Sequence, residues 1–282
     1  MAEPTDRRRP RPMATTVRRT EWISSSMVRV VVGGGDLSRF QTPTWSDSYV
    51  KVLFLSNGVE YPRPMDLDAV RADLPAEHWP RLRTYTVREW DPAAVELTLD
   101  VVVHGDEGLA GPWARDARPG DEVLLLGPGG GYSPDPQADW HLLVGDESAL
   151  PAIAVAAQRL GPDAVARIFV EVHSPDDEIR FPLPAAATVT WVHRGSAPVG
   201  ELLMDAVRAA PWPEGSVHAF VHGEAGFVKE LRRFLRIDRG LSLDQLSISG
   251  YWRHGKDDEG WRAAKRDWNR EVEELEAAAG VA

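Results

Sequence analysis

Six consecutive residues, Arg83-Thr84-Tyr85-Thr86-Val87-Arg88, gather a cation, an aromatic ring and two hydroxyls within reach of one ligand. In an alternating strand Arg83, Tyr85 and Val87 point to one face, and Thr84, Thr86 and Arg88 to the other. Such a segment can neutralise a phosphate, stack on a flat ring and hydrogen-bond to that ring's edge, a combination suited to a flavin. The same residue types are also ordinary strand formers, so the rest of the chain must separate a ligand strand from a polar sheet face.

A second group follows within twenty residues: Val102-Val103-His104-Gly105-Asp106-Glu107-Gly108-Leu109-Ala110-Gly111-Pro112-Trp113-Ala114. Gly108 and Gly111 allow a backbone to approach a ligand closely, and a short helix over 109–117 would present its first amides to a diphosphate. A surface loop with a short helix reads the same way. Asp106 and Glu107 would repel an anion unless turned outward.

Three further groups lie at expected strand ends: Gly145-Asp146-Glu147-Ser148, His222-Gly223-Glu224, and Gly250-Tyr251-Trp252-Arg253-His254-Gly255-Lys256. Ser148 is placed to cap a helix that has Pro151 in its first turn. No GxGxxG follows the first of these strands, so the usual dinucleotide fingerprint is absent. Near the C-terminus, Arg253, Lys256, Arg262, Lys265 and Arg266 form a basic cluster in an acidic chain. Trp261, Lys265, Trp268, Val272 and Leu275 recur at helical spacing as a packed stripe. The cluster reads either as an anion site or as a solvated helix face balanced by Asp257, Asp258, Glu259 and Glu271.

The elements that must position these groups change character midway. Residues 17–24, 27–33, 49–56, 82–90, 94–105 and 121–126 read as strands rich in Val, Leu and Thr, an antiparallel barrel or sandwich. A glycine run at 127–131 and Ser133-Pro134-Asp135-Pro136 mark a linker near 129–138. Beyond it, strands at 141–144, 166–172, 188–193, 217–222 and 246–250 alternate with helices at 149–160, 200–210, 226–237 and 259–279. That alternation indicates a mostly parallel sheet covered on both faces, with ligands at the carboxyl ends of the strands. Glu171, at the end of the second of these strands, is placed to bond a ribose hydroxyl, whereas Lys229, Arg232 and Arg233 are placed to meet a 2′-phosphate.

Composition narrows the chemistry. The chain of 282 residues exceeds the usual single-domain size, so two domains of roughly 130–150 residues are expected. A formal net charge of −11 argues against nucleic acid as the main partner. With no cysteine there is no disulfide, thiolate catalysis or cysteine-ligated metal, so redox chemistry would need a bound cofactor. Residues 1–16 read as a disordered arm, with Arg7, Arg8, Arg9 and Arg11 among prolines and no apolar run after them. No segment has the length of apolar sequence that spans a membrane. A cytoplasmic monomer without membrane insertion is expected.

Arg83-Thr84-Tyr85-Thr86, then His104-Gly105-Asp106 with Gly111-Pro112-Trp113-Ala114, Gly145 through Ala152, His222-Gly223-Glu224 and Gly250-Tyr251-Trp252-Arg253 together resemble the siderophore-interacting protein family of ferric-siderophore reductases, in order and spacing over 17–268. The resemblance implies a two-domain ferredoxin-reductase-like fold: an N-terminal antiparallel β-barrel for flavin, 17–131, and a C-terminal α/β domain for a nicotinamide coenzyme, 132–282, ending in a helix. It implies a flavin strand of Arg83, Thr84, Tyr85 and Thr86, with Tyr85 on the isoalloxazine and Thr86 near its reactive edge. Val102, His104, Gly108, Ala110, Gly111 and Trp113 would form the diphosphate loop of FAD. Gly145, Asp146, Glu147, Ser148, Gly223 and Glu224 would meet NADPH or NADH, and Arg253, Lys256, Arg262 and Lys265 an anionic ferric siderophore. The implied activity is NAD(P)H-dependent reduction of siderophore-bound Fe(III) to Fe(II) through FAD, with no catalytic side chain and no resident metal. A general flavin or ferric reductase and a non-catalytic flavin or siderophore carrier are the alternatives. The branch of siderophore reductases that carries a cysteine-ligated iron–sulfur cluster is excluded.

Overall fold

The computed structural model describes residues 11–106 and 108–281. Most of the arginine-rich arm, including Arg7 to Arg9, lies outside the described residues, as does Glu107. The arm was expected to run to residue 16, but the first strand already begins at Met13. Met13, Thr15 and Val17 alternate inward there, and Met13 and Val17 join the barrel core.

Seven strands form the first sheet: β1 (Met13–Trp22), β2 (Met27–Gly33), β3 (Tyr49–Phe54), β4 (Arg81–Thr86), β5 (Glu89–Asp91), β6 (Glu96–Val102) and β7 (Glu122–Gly129). Their order is β4-β3-β7-β1-β2-β6-β5, with every pairing antiparallel. β4 and β5 stand at opposite ends of that order, yet only Val87 and Arg88 separate them in the chain. The Val87 N–H donates to the Ser48 carbonyl at 2.7 Å, and the Arg88 N–H to the Thr98 carbonyl at 2.9 Å. One chain segment therefore pairs with β3 on one side and β6 on the other, and the sheet closes as a barrel. Closure leaves neither edge open. The segment 83–88 is the seam.

Inward-facing Val30, Val32, Val50, Leu97, Leu99 and Leu125 are completely buried and fill the barrel. Each such side chain contributes about 1.5–3 kcal/mol relative to exposure. On the outer side, Leu53 and Leu124 are covered by Met65 and Val70, the latter on helix α1 (Leu67–Asp73). This helix was not expected from the sequence. Seven residues show too little periodicity to be seen, and its clearest signal is Asp66, whose carboxylate caps the Asp68 and Ala69 amides. Helix α2 (Ala110–Asp116) follows β6.

The second sheet is wholly parallel: β8 (Trp140–Gly145), β9 (Val165–Val172), β10 (Ala187–His193), β11 (Val217–Glu224) and β12 (Leu246–Trp252), in the order β10-β9-β8-β11-β12. The winding reverses between β8 and β11, which opens a crevice at their carboxyl ends. Helix α3 (Leu150–Gln158) covers one face, and α4 (Glu201–Ala209), α5 (Ala225–Arg233) and α6 (Asp258–Ala278) the other. Met27 of β2 packs into the cluster containing Leu143, Ile153 and Phe220, so barrel and sheet share apolar surface.

On α6 the packed stripe departs from expectation at its end. Trp261, Trp268 and Val272 are buried, but Leu275 is 47% exposed and Glu276 is 6% exposed in its place. The surface it meets is basic: Arg232 of α5 holds Glu276 at 2.5 and 2.9 Å, and Arg236 lies 3.7 Å away. A carboxylate satisfies that surface and a leucine would not.

Candidate functional site

On β4 the register sets Arg83 opposite Val52, Tyr85 opposite Val50, Thr84 opposite Lys51 and Thr86 opposite Tyr49. Tyr85 packs against the barrel cluster, and burial holds its phenol above the usual range. Arg83 is engaged: its guanidinium makes bonds of 2.6 and 2.9 Å to Glu259 and one of 3.3 Å to Asp258, at the start of α6. Arg262 of α6 donates to the Leu82 carbonyl at 2.8 Å. The opposite end of the seam is held by Arg88, which donates to Gln158 of α3 at 3.1 Å. The seam strand is thus fastened to the second domain at both ends.

At the end of β6 the chain turns through Gly105 and Gly108, both at positive φ, into α2. Asp106 is turned outward onto Arg115, away from the loop's interior. His104, Gly105 and Gly108 are exposed, while Val102, Gly111 and Trp113 are half-buried and Ala110 is buried. A methyl group on Gly111 would sit 3.5 Å from the Val102 carbonyl, so loop and strand touch. Among the described residues no side chain caps the N-terminus of α2, which leaves its first amides to another acceptor.

The three strand ends of the second sheet converge on Asp146. Its Oδ1 accepts from the Ser148 N–H at 2.9 Å and the Ser148 hydroxyl at 2.5 Å. Its Oδ2 accepts from the Glu224 N–H and from Trp252 Nε1, each at 2.8 Å. One carboxylate ties β8, β11 and β12 together. It has no exposed surface, and burial pushes its carboxyl up to about 6 although four donors favour the charge. Gly145 and Gly223 make the convergence possible: a methyl on Gly223 would lie 2.7 Å from the Asp146 carboxyl carbon, and one on Gly145 2.7 Å from the His222 carbonyl.

Several residues expected at the coenzyme site have partners within the protein. Asp146 was expected to meet a coenzyme, but its acceptors are filled from within the protein. Glu224 caps α5 through the Gly226 and Phe227 amides and accepts from Arg253 at 3.2 Å, so it too is internally occupied. Glu171 has no exposed surface; its oxygens take the Gly200 N–H, both at 3.0 Å, and Arg194, also at 3.0 Å. Lys229 is bonded to Glu271 at 3.1 Å and Arg232 to Glu276, while Arg233 stands 3.9 Å from Glu230. These three follow the carboxyl edge of the sheet by one to two turns of α5, and α6 covers the first two. A cation at the carboxyl edge of the sheet that sequence reasoning missed is Arg194, held by Glu147 at 3.1 Å. Its signal was only its place one residue beyond β10.

The basic cluster is likewise mostly engaged. Arg253 is paired with Glu224 and Arg262 with Asp258 at 2.8 Å. Lys265 donates to the Ser249 hydroxyl and the Gly250 carbonyl at 2.9 Å each, and burial lowers its pKa. Lys256 is exposed and its ammonium has no partner among the described residues. Among the described residues no group of His, Asp and Glu could hold a metal ion.

The two halves face each other. Tyr251 of β12 packs against the same apolar cluster as Met27 of β2 and Val102 of β6. Tyr251 also tilts onto His222 at 4.8 Å, and His222 stacks on Phe220 at 3.9 Å. Burial and the nearby Lys265 hold the His222 ring neutral, with its pKa pushed down to about 3. Because the unfolded chain binds that proton near pH 6.5 and the folded one does not, this contribution to stability is present above that pH and is lost on acidification. We expect about 1.4 kcal/mol of stability lost per pH unit from this residue between roughly pH 6 and pH 4. Urea midpoints measured across that range should show a slope smaller by one proton in His222→Phe. An unchanged slope would contradict it.

An aromatic ring and hydroxyl on the seam strand, uncapped amides on α2 and a facing crevice make a cradle that fits FAD. Comparisons with known proteins agree. Residues 16–132 match the model of the siderophore-interacting FAD-binding domain, and residues 138–255 that of siderophore-interacting protein. The chain is 46% identical to an uncharacterized protein of Mycobacterium tuberculosis, over 95% of this chain and 98% of that one. It is 33% identical to the ferric vibriobactin reductase ViuB of Vibrio cholerae, over 86% and 90%. The siderophore-interacting protein SipS of Aeromonas hydrophila superposes with a TM-score of 0.77 at 29% identity, covering 93% of this chain and 99% of SipS. The ferredoxin reductase of carbazole 1,9a-dioxygenase, at 17% identity and a TM-score of 0.62, shares the fold. The chain is a ferredoxin-reductase-like member of the siderophore-interacting protein family, with the family's FAD-binding domain at its N-terminus.

Proposed function

We propose that this protein is a cytoplasmic, monomeric oxidoreductase that passes electrons from NADPH or NADH through FAD to Fe(III) held in an anionic siderophore. The observation that carries this reading is the meeting of the barrel seam with the second half of the chain, where Arg83 bonds Glu259, Arg262 donates to the Leu82 carbonyl, and Met27 packs with Leu143, Ile153 and Phe220. The 33% identity to ferric vibriobactin reductase supports the acceptor. Bound flavin supplies the conversion from a two-electron donor to a one-electron acceptor.

The protein's own part is positioning. Tyr85 would offer its ring to the isoalloxazine and Thr86 its hydroxyl to that ring's edge, while the first amides of α2, without a side-chain cap among the described residues, would meet the diphosphate. Gly145, Glu147, Ser148, Gly223 and Arg194, at or beside the carboxyl ends of β8, β10 and β11, would meet the coenzyme. Lys256, exposed and unpaired among the described residues, is the cation placed to attract the ferric chelate. Oxygen chelators hold Fe(III) far more tightly than Fe(II), so electron transfer alone loosens the metal and no acid, base or nucleophile is required.

The test is spectroscopic. Purified protein should show flavin absorbance that bleaches on anaerobic addition of NADPH or NADH and returns when a ferric siderophore and an Fe(II) trap are added. Flavin that neither coenzyme bleaches would sink the reductase reading. Ferric citrate reoxidising the flavin as fast as a ferric siderophore would reduce it to a general ferric reductase.

A further inference from the structure

The barrel is joined to the second half of the chain on two sides of the crevice, by two kinds of contact. In the sheet order β10-β9-β8-β11-β12 the crevice lies between β8 and β11, with β9 on one side and β12 on the other. On the β9 side, the turn after that strand presents Asp177, 2% exposed, to the hairpin between β1 and β2. Its Oδ1 accepts from the Ser25 hydroxyl and, at 2.6 Å, from the Ser26 hydroxyl; its Oδ2 accepts from the Ser174 hydroxyl at 2.9 Å and the Ser174 N–H at 3.2 Å. Met27, the next residue of the hairpin, is buried in the shared apolar cluster. Helix α3 packs in that cluster too, and its end adds Arg159 to the Thr44 carbonyl at 2.6 Å and Gln158 to Arg88.

On the β12 side the contact is charged and open to solvent. Residues 253–257 lead from Trp252, bonded to Asp146, to the start of α6; residues 254–257 are exposed, and Gly255 turns at a φ of 75°. The first turn of α6 then meets β4, where Glu259 and Asp258 hold Arg83 and Arg262 reaches the Leu82 carbonyl. The Glu259 side chain is 45% exposed and that of Arg262 40%. Among the described residues, the hydrogen bonds and ion pairs from α6 to the barrel are confined to 258–262, and from Trp261 onward the helix packs on its own sheet. Partly exposed ion pairs are weak and screened by salt, whereas a buried carboxylate with its donors in place is costly to undo. If the two halves part, they part on the β12 side first.

We propose that the first turn of α6 is a releasable latch on the barrel, and that the Asp177 clasp with the Met27 cluster is the hinge about which the crevice opens when the latch lets go. The inference rests on the reading that ligands meet in that crevice. Opening admits them from the β12 side, and closing returns β4 to the second half of the chain and excludes water. The charge that holds the latch sits on Arg83, so an anion that takes Arg83 competes with Glu259 and loosens it.

The chain has no cysteine, so two introduced cysteines would carry the only spin labels. Glu77→Cys, just ahead of β4, and Ala263→Cys on α6 report on the latch, while Glu21→Cys on β1 and Arg180→Cys, beyond the Asp177 turn, report on the hinge; all four positions are exposed. Distances are read by pulsed electron–electron double resonance in the full-length protein as purified, with no coenzyme added. Asp258→Asn combined with Glu259→Gln should raise the fraction of the latch pair at long distance about tenfold. Sodium chloride at about 1 M, which screens charges beyond about 3 Å, should raise it with the latch residues unaltered. The hinge pair should keep its distance throughout, and Arg270→Gln, whose partners Asp267 and Glu274 lie within α6, should change neither pair. A latch distance that stays the same in the double variant and in high salt would overturn the latch, and a hinge distance that lengthens with it would overturn the hinge. Neither result touches electron transfer: rigid distances leave the reductase reading standing, and flavin that no coenzyme bleaches leaves the latch standing.

Discussion

Replacing Asp146 by alanine is expected to cost about 4 kcal/mol of folding stability, because it strands several buried donors at once. The Ser148 and Glu224 amides and the Trp252 indole N–H all end on this carboxylate. Each buried donor left without an acceptor costs about 1–3 kcal/mol. Asp146→Asn conserves the volume but sets an NH₂ against one of the two donor pairs, so about 2 kcal/mol should be lost there. Urea unfolding at constant m-value measures both. If the alanine variant unfolded within about 0.5 kcal/mol of wild type, the convergence of the three strand ends on Asp146 would not be what holds the crevice together.

Glu276→Ala should cost about 3 kcal/mol for a different reason. The carboxylate is 6% exposed and faces two guanidinium groups, Arg232 at 2.5 Å and Arg236 at 3.7 Å. Removing it takes the anion from two largely buried cations whose desolvation has already been incurred. Because the cluster is shielded, the loss should persist in high salt, unlike that from an exposed pair such as Lys229 and Glu271. Thermal unfolding at low and high salt separates the two. A Glu276→Ala effect that vanished in high salt would place the cluster on the surface instead.

Both residues show that the internal partners of a polar group are set by residues far away in the chain. Asp146, Glu171 and Glu224 were expected at the coenzyme site because strand ends in such sheets bind ligands. The neighbourhood was legible; the occupancy was not. Whether a carboxylate faces a ligand or a buried N–H depends on residues far away in the chain, such as Trp252 for Asp146 and Gly200 for Glu171. The same holds for Arg83, whose partners lie 175 and 176 residues away on α6.

What the sequence determined by itself was periodic and local. Alternating Val and Leu in the first half and short apolar runs separated by amphipathic segments in the second dictate an antiparallel and then a parallel sheet, because side-chain period sets which faces can be buried. The glycines at 145 and 223 were visible too, since only a missing Cβ permits that approach of backbone to Asp146. Tertiary structure alone decided the closure of the barrel through residues 83–88 and the docking of α6. Closure depends on pairing β4 with β3 across a long loop, while β5 pairs with β6 across a short turn. The charges near the C-terminus were resolved into internal ion pairs only when α6 met β4 and α5, since complementarity between surfaces carries no periodicity along the chain.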